Sequence, residues 1–330
     1  VEKQKKEMRS PKKINLANLP TPIQQINFEG KEFLIKRDDF TGSDLSGNKV
    51  RKLEYLLQHA RREKAEIIFT CGGDQSNHAR ATAAAAAILG IKSRLFLWGS
   101  EIAKPTGNLF LDKMYGAEII FLNKKDFKNV DEIMTEERRK LVKTGKRVYV
   151  IPAGGSSTLG IWGYISFIEE LKKQINLKKI DGIFSACGSG GTAAGLIVGA
   201  ALHKLNIKIY AVNVLLPEKE IRKKILQLAL GASLEYKLNI EIDESKLVIL
   251  DGYSKEGYKN ISNEKVRLIS RFAKSSGILL DPAYTGKAFV AYHQRILKQR
   301  LGMKVIFLHT GGLFGVFAKS TAYLDEIVNK

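Results

Sequence analysis

Apolar runs recur along the chain, and each ends in glycine or a polar turn. They are EIIFTCGG (66–73), SRLFLWG (93–99), AEIIFLN (117–123), RVYVIPAGG (147–155), KIDGIFSACGSGG (179–191), IKIYAVNV (207–214) and KVIFLHTGG (304–312). Such runs read as strands. Between them the apolar spacing changes to the helical period, predicting helices over 48–63, 76–90, 106–115, 130–144, 158–175, 191–204, 262–276 and 285–300. Strand–helix alternation predicts an α/β fold with parallel sheets and helices on both faces. The unbroken apolar runs IIFT and GIFSA fit strands buried on both sides. The segment SNHARATAAAAAILG (76–90) is alanine-rich, as a closely packed helix would be.

Composition narrows the class. The chain has 330 residues, 44% hydrophobic and 27% charged, which is globular and long enough for two domains. No apolar run reaches the length of a membrane span. The start, VEKQKKEMRSPKK, is charged and reads as a solvated tail without a secretion signal. Cys71 and Cys187, at predicted strand ends, read as buried thiols of a reducing, cytoplasmic compartment. The formal charge of +20 raises nucleic acid as a partner. The basic residues are scattered over helix faces and turns, with no zinc spacing and no RNA-binding aromatic signature, so they read as surface lysines. Five histidines, none paired at i, i+4, give no metal site.

Ligands of such sheets bind beyond the carboxyl ends of the strands. Loops rich in glycine and small polar residues stand there: GGDQSNH, PAGGSST, ACGSGGT and HTGG. Gly188-Ser189-Gly190-Gly191-Thr192 follows a strand and opens a helix, where backbone N–H groups can cradle a phosphate. The stretch also matches G-x-G-x-x-A, but the following strand runs into Asn213-Val214-Leu215-Leu216, with no acidic residue before Glu218 to hold a ribose. A monophosphate fits better than a dinucleotide, with a plain helix cap as the alternative.

Lys49 sits on a Gly-Asn turn at the mouth of the helix 48–63, in SGNKVRKLEYLL. A lysine that can lose its proton forms Schiff bases with carbonyl groups. Together SGNKVRKLEYLL, GGDQSNHARATAAAA, CGSGGTAAGL, LDPAYTGKA and HTGG resemble the tryptophan-synthase-like (fold type II) pyridoxal phosphate enzymes, in the branch of 1-aminocyclopropane-1-carboxylate deaminase and D-cysteine desulfhydrase. The resemblance runs from KRDD (36–39) to HTGG (309–312). It implies two α/β domains with open twisted parallel sheets and pyridoxal 5′-phosphate in the cleft between them. The small domain would span 51–160, and the large one 1–50 with 161–330. Homodimers and a small amino-acid substrate are implied as well.

Residue by residue, the resemblance makes Lys49 the covalent cofactor carrier and Asn48 the partner of the ring hydroxyl. It makes Gly188, Ser189, Gly190, Gly191 and Thr192 the phosphate loop. Gln75, Ser76 and Asn77 would receive the substrate carboxylate, with Ser76 as nucleophile or positioning group. Tyr258 and Tyr284 would be active-site tyrosines, although Lys259 replaces a glycine of the usual G-Y-G. By residue type alone, Ser76 is equally an N-cap, Tyr284 a core aromatic, and His78 and His309 locally satisfied histidines. Trp98, Leu313 and Phe314 are candidates for shaping the pocket.

Thr285 and Thr310 separate the branches. The ring-opening deaminases carry glutamate and leucine at the matching positions, so the resemblance points to the desulfhydrase pattern. A carboxylate beside the pyridine nitrogen keeps the ring a strong electron sink, which expulsion of carbon requires; a hydroxyl suffices when hydrosulfide leaves. The expectation is α,β-elimination from D-cysteine to pyruvate, ammonia and hydrogen sulfide, with Lys49 as first candidate for the Cα base and Tyr284 as second. Cyclopropane deamination, elimination from another β-substituted amino acid, and a basic phosphate-ligand or nucleic-acid-binding protein are the alternatives.

Overall fold

The alternating pattern folds into two sheets, each flanked by helices. A computed structural model describes residues 10–258, 260–299 and 302–328; the first nine residues of the basic N-terminal stretch, and Lys259, lie outside the described residues. The chain begins with an antiparallel hairpin, β1 (Ile23–Phe28) and β2 (Lys31–Arg37), which the pattern reading did not find. IQQINF is only half-buried, so its apolar signal is weak.

The small sheet comes next, from β3 (Ile67–Gly73), β4 (Lys92–Trp98), β5 (Glu118–Leu122) and β6 (Val148–Val150), in the order β5-β4-β3-β6 and all parallel. The chain then returns to the first sheet with β7 (Gly182–Cys187), β8 (Lys208–Asn213), β9 (Leu247–Leu250) and β10 (Val305–His309). That sheet has the order β1-β2-β10-β7-β8-β9 and is parallel except for the β1 edge. Every residue of β7 is buried, which explains its unbroken apolar sequence.

The α-helices are α1 (Asn48–Arg62), α2 (Asn77–Ile88), α3 (Gly107–Met114), α4 (Val130–Lys143), α5 (Trp162–Gln174), α6 (Gly191–Leu202), α7 (Glu218–Glu235), α8 (Asn263–Ser276), α9 (Thr285–Tyr292), α10 (Leu313–Phe317) and α11 (Ser320–Val328). The pattern reading missed α7, whose apolar stripe (Ile221, Ile225, Ala229, Ala232) is blurred by exposed Leu230 and Leu234. The predicted helix 285–300 is α-helical to Tyr292 and continues as a π turn over His293–Leu297.

One core packs α5, α6 and α7 on the large sheet, and a second packs α8 and α9 on its opposite face. The small sheet is covered by α1 and α2 on one side and by Val130 and Met134 of α4 on the other. Helix α1 joins the two halves, since Leu53, Leu56 and Leu57 pack with Ile68 and Ala85, and Tyr55 packs in the α5 core. The glycine-rich loops all stand at carboxyl ends of strands, on the side where the sheets face a common cleft.

Candidate active site

The site is built around the first turn of α1. Gly47 holds φ +96, and a Cβ there would lie 2.8 Å from the carbonyl oxygen of Thr310, so only glycine allows this approach. The approach lets Asn48 N donate to Thr310 O at 3.0 Å, which ties the lysine turn to the end of β10. Polar residues of α1 that look solvent-facing are buried. Arg51 donates to both oxygens of Asp38 (2.8 and 2.9 Å) and to Glu170 (2.7 and 3.0 Å), while Lys36 also reaches Glu170 at 2.6 Å. Glu54 accepts from the N–H groups of Leu16 and Ala17 and pairs with Lys13. Gly163 lets α5 press on the backbone of α1 at Arg51, where a Cβ would be 2.5 Å from the Arg51 carbonyl oxygen. Together these contacts fix the rotation of α1 and hence where Lys49 points.

Lys49 lines a cavity with Asn48, Asn77, Ala186, Cys187, the Gly188–Gly190 turn, Thr192, Tyr284 and Thr310. Desolvation lowers the Lys49 amine to about 8. Lys52, one turn on and 1% exposed, is pushed well below the usual lysine range by burial and then by Lys49. Its amine meets only neutral groups, Gly154 O at 3.2 Å and Ser156 Oγ at 3.4 Å. Among the described residues neither amine has a carboxylate partner, so the cluster suits an anion. The same burial and the same two lysines keep His78 neutral, with Nε2 2.9 Å from Thr70 Oγ1.

The phosphate-type loop closes the cluster. Gly190 is left-handed (φ +85) and starts α6, so the free N–H groups of that helix open toward the lysines. Ser189 Oγ lies 2.8 Å from Ser156 Oγ, which accepts from Gly191 N at 3.2 Å; PAGGSST and ACGSGGT thus meet. A Cβ on Gly191 would lie 2.7 Å from Lys52 Nζ, which puts that amine at the mouth of α6. Asn48 Nδ2 donates to Thr192 Oγ1 at 3.0 Å.

The other expected residues divide. Ser76 is the N-cap of α2, its Oγ accepting from Ala79 N at 3.2 Å, while Asn77 stands on the cavity wall. The Gln75 amide is committed elsewhere, donating to Thr106 O at 3.0 Å and accepting from Asn108 N at 2.9 Å. Tyr284 donates to Tyr258 at 3.3 Å and Tyr258 to Gln75 O at 3.4 Å, with the rings edge to face. Burial pushes Tyr258 well above the phenol range and Tyr284 up to about 12, so both are protonated at neutral pH.

Thr310 lines the cavity, whereas the buried Thr285 turns its hydroxyl to Asp281. It donates to Asp281 Oδ1 at 2.6 Å and accepts from Asp281 N at 2.8 Å. His309 is locally satisfied, with Nε2 2.8 Å from Leu279 O and Nδ1 accepting from Gly311 N. Trp98 and Leu313 are part-exposed, and Phe314 lies under the guanidinium of Arg80 at 4.9 Å.

Residues 14–311 match the family model of pyridoxal-phosphate dependent enzymes. The chain belongs to this family. It is 39% identical over 312 residues to a putative 1-aminocyclopropane-1-carboxylate deaminase of Thermotoga maritima, covering 93% of this chain and 98% of that protein. It is 38% identical over 324 residues to the mitochondrial bifunctional D-cysteine desulfhydrase/1-aminocyclopropane-1-carboxylate deaminase of Arabidopsis thaliana, covering 93% of this chain and 79% of that one. A crystal structure of a homologue of the cyclopropane deaminase superposes with a TM-score of 0.88 at 36% identity, covering 96% of each chain. The pyridoxal phosphate fold, two parallel-sheet α/β halves around a cleft, is therefore the one the sequence resemblance implied.

The cavity fits the family's cofactor. Two buried amines without a counter-charge among the described residues, and a helix mouth opened by Gly188-Ser189-Gly190, suit a phosphate; Lys49, with its lowered pKa, suits the aldehyde. Lys52, Ser156 and Asp281 were not singled out in the sequence. Lys52 could have been found as the second lysine of Asn-Lys-x-x-Lys, one turn along the same face. Asp281 could have been found as the capping acid of Asp-Pro-Ala-Tyr-Thr, since its carboxylate accepts from the N–H groups of Ala283, Tyr284 and Thr285 at 3.0, 2.9 and 2.7 Å.

Proposed function

We propose that this pyridoxal phosphate enzyme is a carbon–sulfur lyase that eliminates hydrogen sulfide from D-cysteine. The overall balance is D-cysteine and water to pyruvate, ammonia and hydrogen sulfide. The observation that carries the reading is that, among the described residues, no carboxylate lines the cavity, whereas Thr310 does. Pyridoxal phosphate, when bound, supplies the electron sink for negative charge at the substrate Cα, and with no carboxylate to hold its ring protonated the sink is a weak one. A weak sink suits a good leaving group such as hydrosulfide better than a carbon leaving group. The plant relative named for both activities supports an amino acid of this size at the site.

The chain's own groups have matching roles. Lys49, near 8, would hold the cofactor aldehyde and is the base matched to neutral pH for the substrate Cα proton. Tyr284 and Tyr258 stay protonated, so they act as hydrogen-bonding groups, and Tyr284 is the weaker candidate for the base. Lys52, Ser189 and the Gly190–Thr192 turn hold the phosphate; Asn48 orients the ring; Asn77 receives the substrate carboxylate, with Gln75 and Ser76 shaping the turn that presents it. Thr285 supports the site through Asp281. The small domain is taken as 51–160, a division supported by the placement of β3 to β6. A homodimer in the cytoplasm completes the proposal. Among the described residues, no helix is long and apolar enough to cross a membrane.

The test is product analysis with D-cysteine, L-cysteine and 1-aminocyclopropane-1-carboxylate. Sulfide and pyruvate from D-cysteine at the highest kcat/KM support the proposal. Formation of 2-oxobutanoate from the cyclopropane substrate, with no sulfide from D-cysteine, would replace it with the deaminase reading.

A further inference from the structure

We infer that Asn108, held in one orientation by Arg80, sets the polarity of the substrate-carboxylate site by turning the NH2 group of Asn77 toward the cavity. The inference rests on the reading of Asn77 as the carboxylate-binding residue. Asn108 is fully buried at the start of α3, outside the cavity. Its side-chain oxygen accepts from Arg80 Nε at 3.0 Å. Its nitrogen donates to the backbone carbonyl of Gln75 at 3.0 Å and to Asn77 Oδ1 at 2.9 Å.

A guanidinium only donates and a carbonyl only accepts, so two independent partners forbid the flipped Asn108 amide. With Asn108 fixed, Asn77 must present its oxygen inward. Its Nδ2 is then the end turned away from Asn108, and Asn77, the first residue of α2, lines the cavity. A substrate carboxylate there meets donors and the positive end of a helix. Gln75 is less suited, because its amide is held by Thr106 O at the nitrogen and by Asn108 N at the oxygen.

Arg80 is itself pinned. It donates to Ser46 O at 2.9 Å and to Asp44 O, both in the loop that leads into the Lys49 turn, and its guanidinium lies over the Phe314 ring. The polarity is thus handed from the lysine loop through Arg80 and Asn108 to Asn77. Asn108 is a positioning residue: it touches neither cofactor nor substrate.

Asn108→Asp keeps size and shape but removes both donors. The new carboxylate still accepts from Arg80, and Asn77 must rotate to donate to it, turning its oxygen to the cavity. Ligand binding is read from the cofactor's visible absorbance on titration with alanine, which has no β leaving group, and with alaninamide, which lacks the carboxylate. The enantiomer that perturbs the wild-type band is used. The expected result is 10- to 100-fold weaker binding of alanine to Asn108→Asp, with alaninamide changed less than threefold. Equal weakening of both ligands, or of neither, overturns the inference. If Asn108→Asp does not hold the cofactor, Asn108→Ser, which frees Asn77 to adopt either orientation, is expected to weaken alanine three- to tenfold and leave alaninamide unchanged; equal effects again overturn it. Wild-type sulfide release from D-cysteine, measured in parallel, bears on the proposed reaction alone. A wild type that binds alanine without eliminating from D-cysteine loses that reaction and keeps the relay. A wild type whose band neither enantiomer perturbs loses both.

Discussion

Lys52 follows Lys49 by one helical turn; Lys49 lines the cavity, the Lys52 amine lies against Gly191 at the mouth of α6, and neither has a carboxylate partner among the described residues. Two buried amines side by side hold their protons poorly unless an anion joins them. On the proposed reading, Lys52 would hold the cofactor phosphate and Lys49 would be left for its aldehyde. Lys52→Met is expected to weaken cofactor affinity 10- to 100-fold, or about 1.4–2.7 kcal/mol, while the visible band returns at saturating cofactor. Equilibrium titration of the apoprotein with pyridoxal phosphate checks this; unchanged affinity would remove Lys52 from the phosphate site.

The pH dependence of cofactor loading follows from Lys49. Its amine must be neutral to attack the aldehyde, and desolvation brings it down to about 8 from the usual 10.5. Loading should accelerate with pH up to about 8 and level off above it. Stopped-flow absorbance on the apoprotein measures the profile. A rise that continues toward 10.5 would mean that the Lys49 amine is solvated.

Much of the site was legible because its parts announce themselves as violations of pattern. Gly47 and Lys49 break a helix entry, and Gly188 to Gly191 end an apolar strand with residues that bury nothing. What was not legible is buried polarity. Arg51, Lys52 and Glu54 have the spacing of a solvated face, yet each is at most 2% exposed, because partners distant in sequence (Asp38, Glu170, Ser156, Leu16) surround them. Asn108 is hidden for the same reason. A sequence displays which residues can donate or accept, but tertiary contacts decide to whom. The choice between Thr285 and Thr310 is another case, since only folding shows that Asp281 takes the Thr285 hydroxyl.

The Arg51 cluster holds the helix that carries Lys49. Arg51→Met leaves Asp38 and Glu170 buried without their main cation, at a cost of about 3–5 kcal/mol, which urea unfolding measures. Glu170 has its carboxyl depressed to about 2, burial being outweighed by Arg51 and Lys36. Its contribution is fully present above the unfolded carboxylate pKa of 4.5 and is lost as pH falls toward 2. The gap between wild type and variant should therefore narrow below pH 4.5. A gap independent of pH would assign the loss to packing.

The two threonines should separate in their effects. Thr285→Val leaves the Asp281 N–H without its acceptor and should cost about 1–3 kcal/mol of stability, with the cofactor band in place. Thr310→Val removes the hydroxyl on the cavity wall and should shift the band or lower kcat with little loss of stability. Thermal melts and spectra of both variants decide; a reversed pattern would put Thr285, not Thr310, against the ring.

The most direct measurement is to reduce the holoenzyme with borohydride, which fixes the cofactor to the lysine that carries it, and to map the modified peptide by mass spectrometry. The adduct is expected on Lys49, with Lys52 unmodified and no adduct in Lys49→Ala. An adduct on Lys52, or on a lysine outside the cavity, would contradict it.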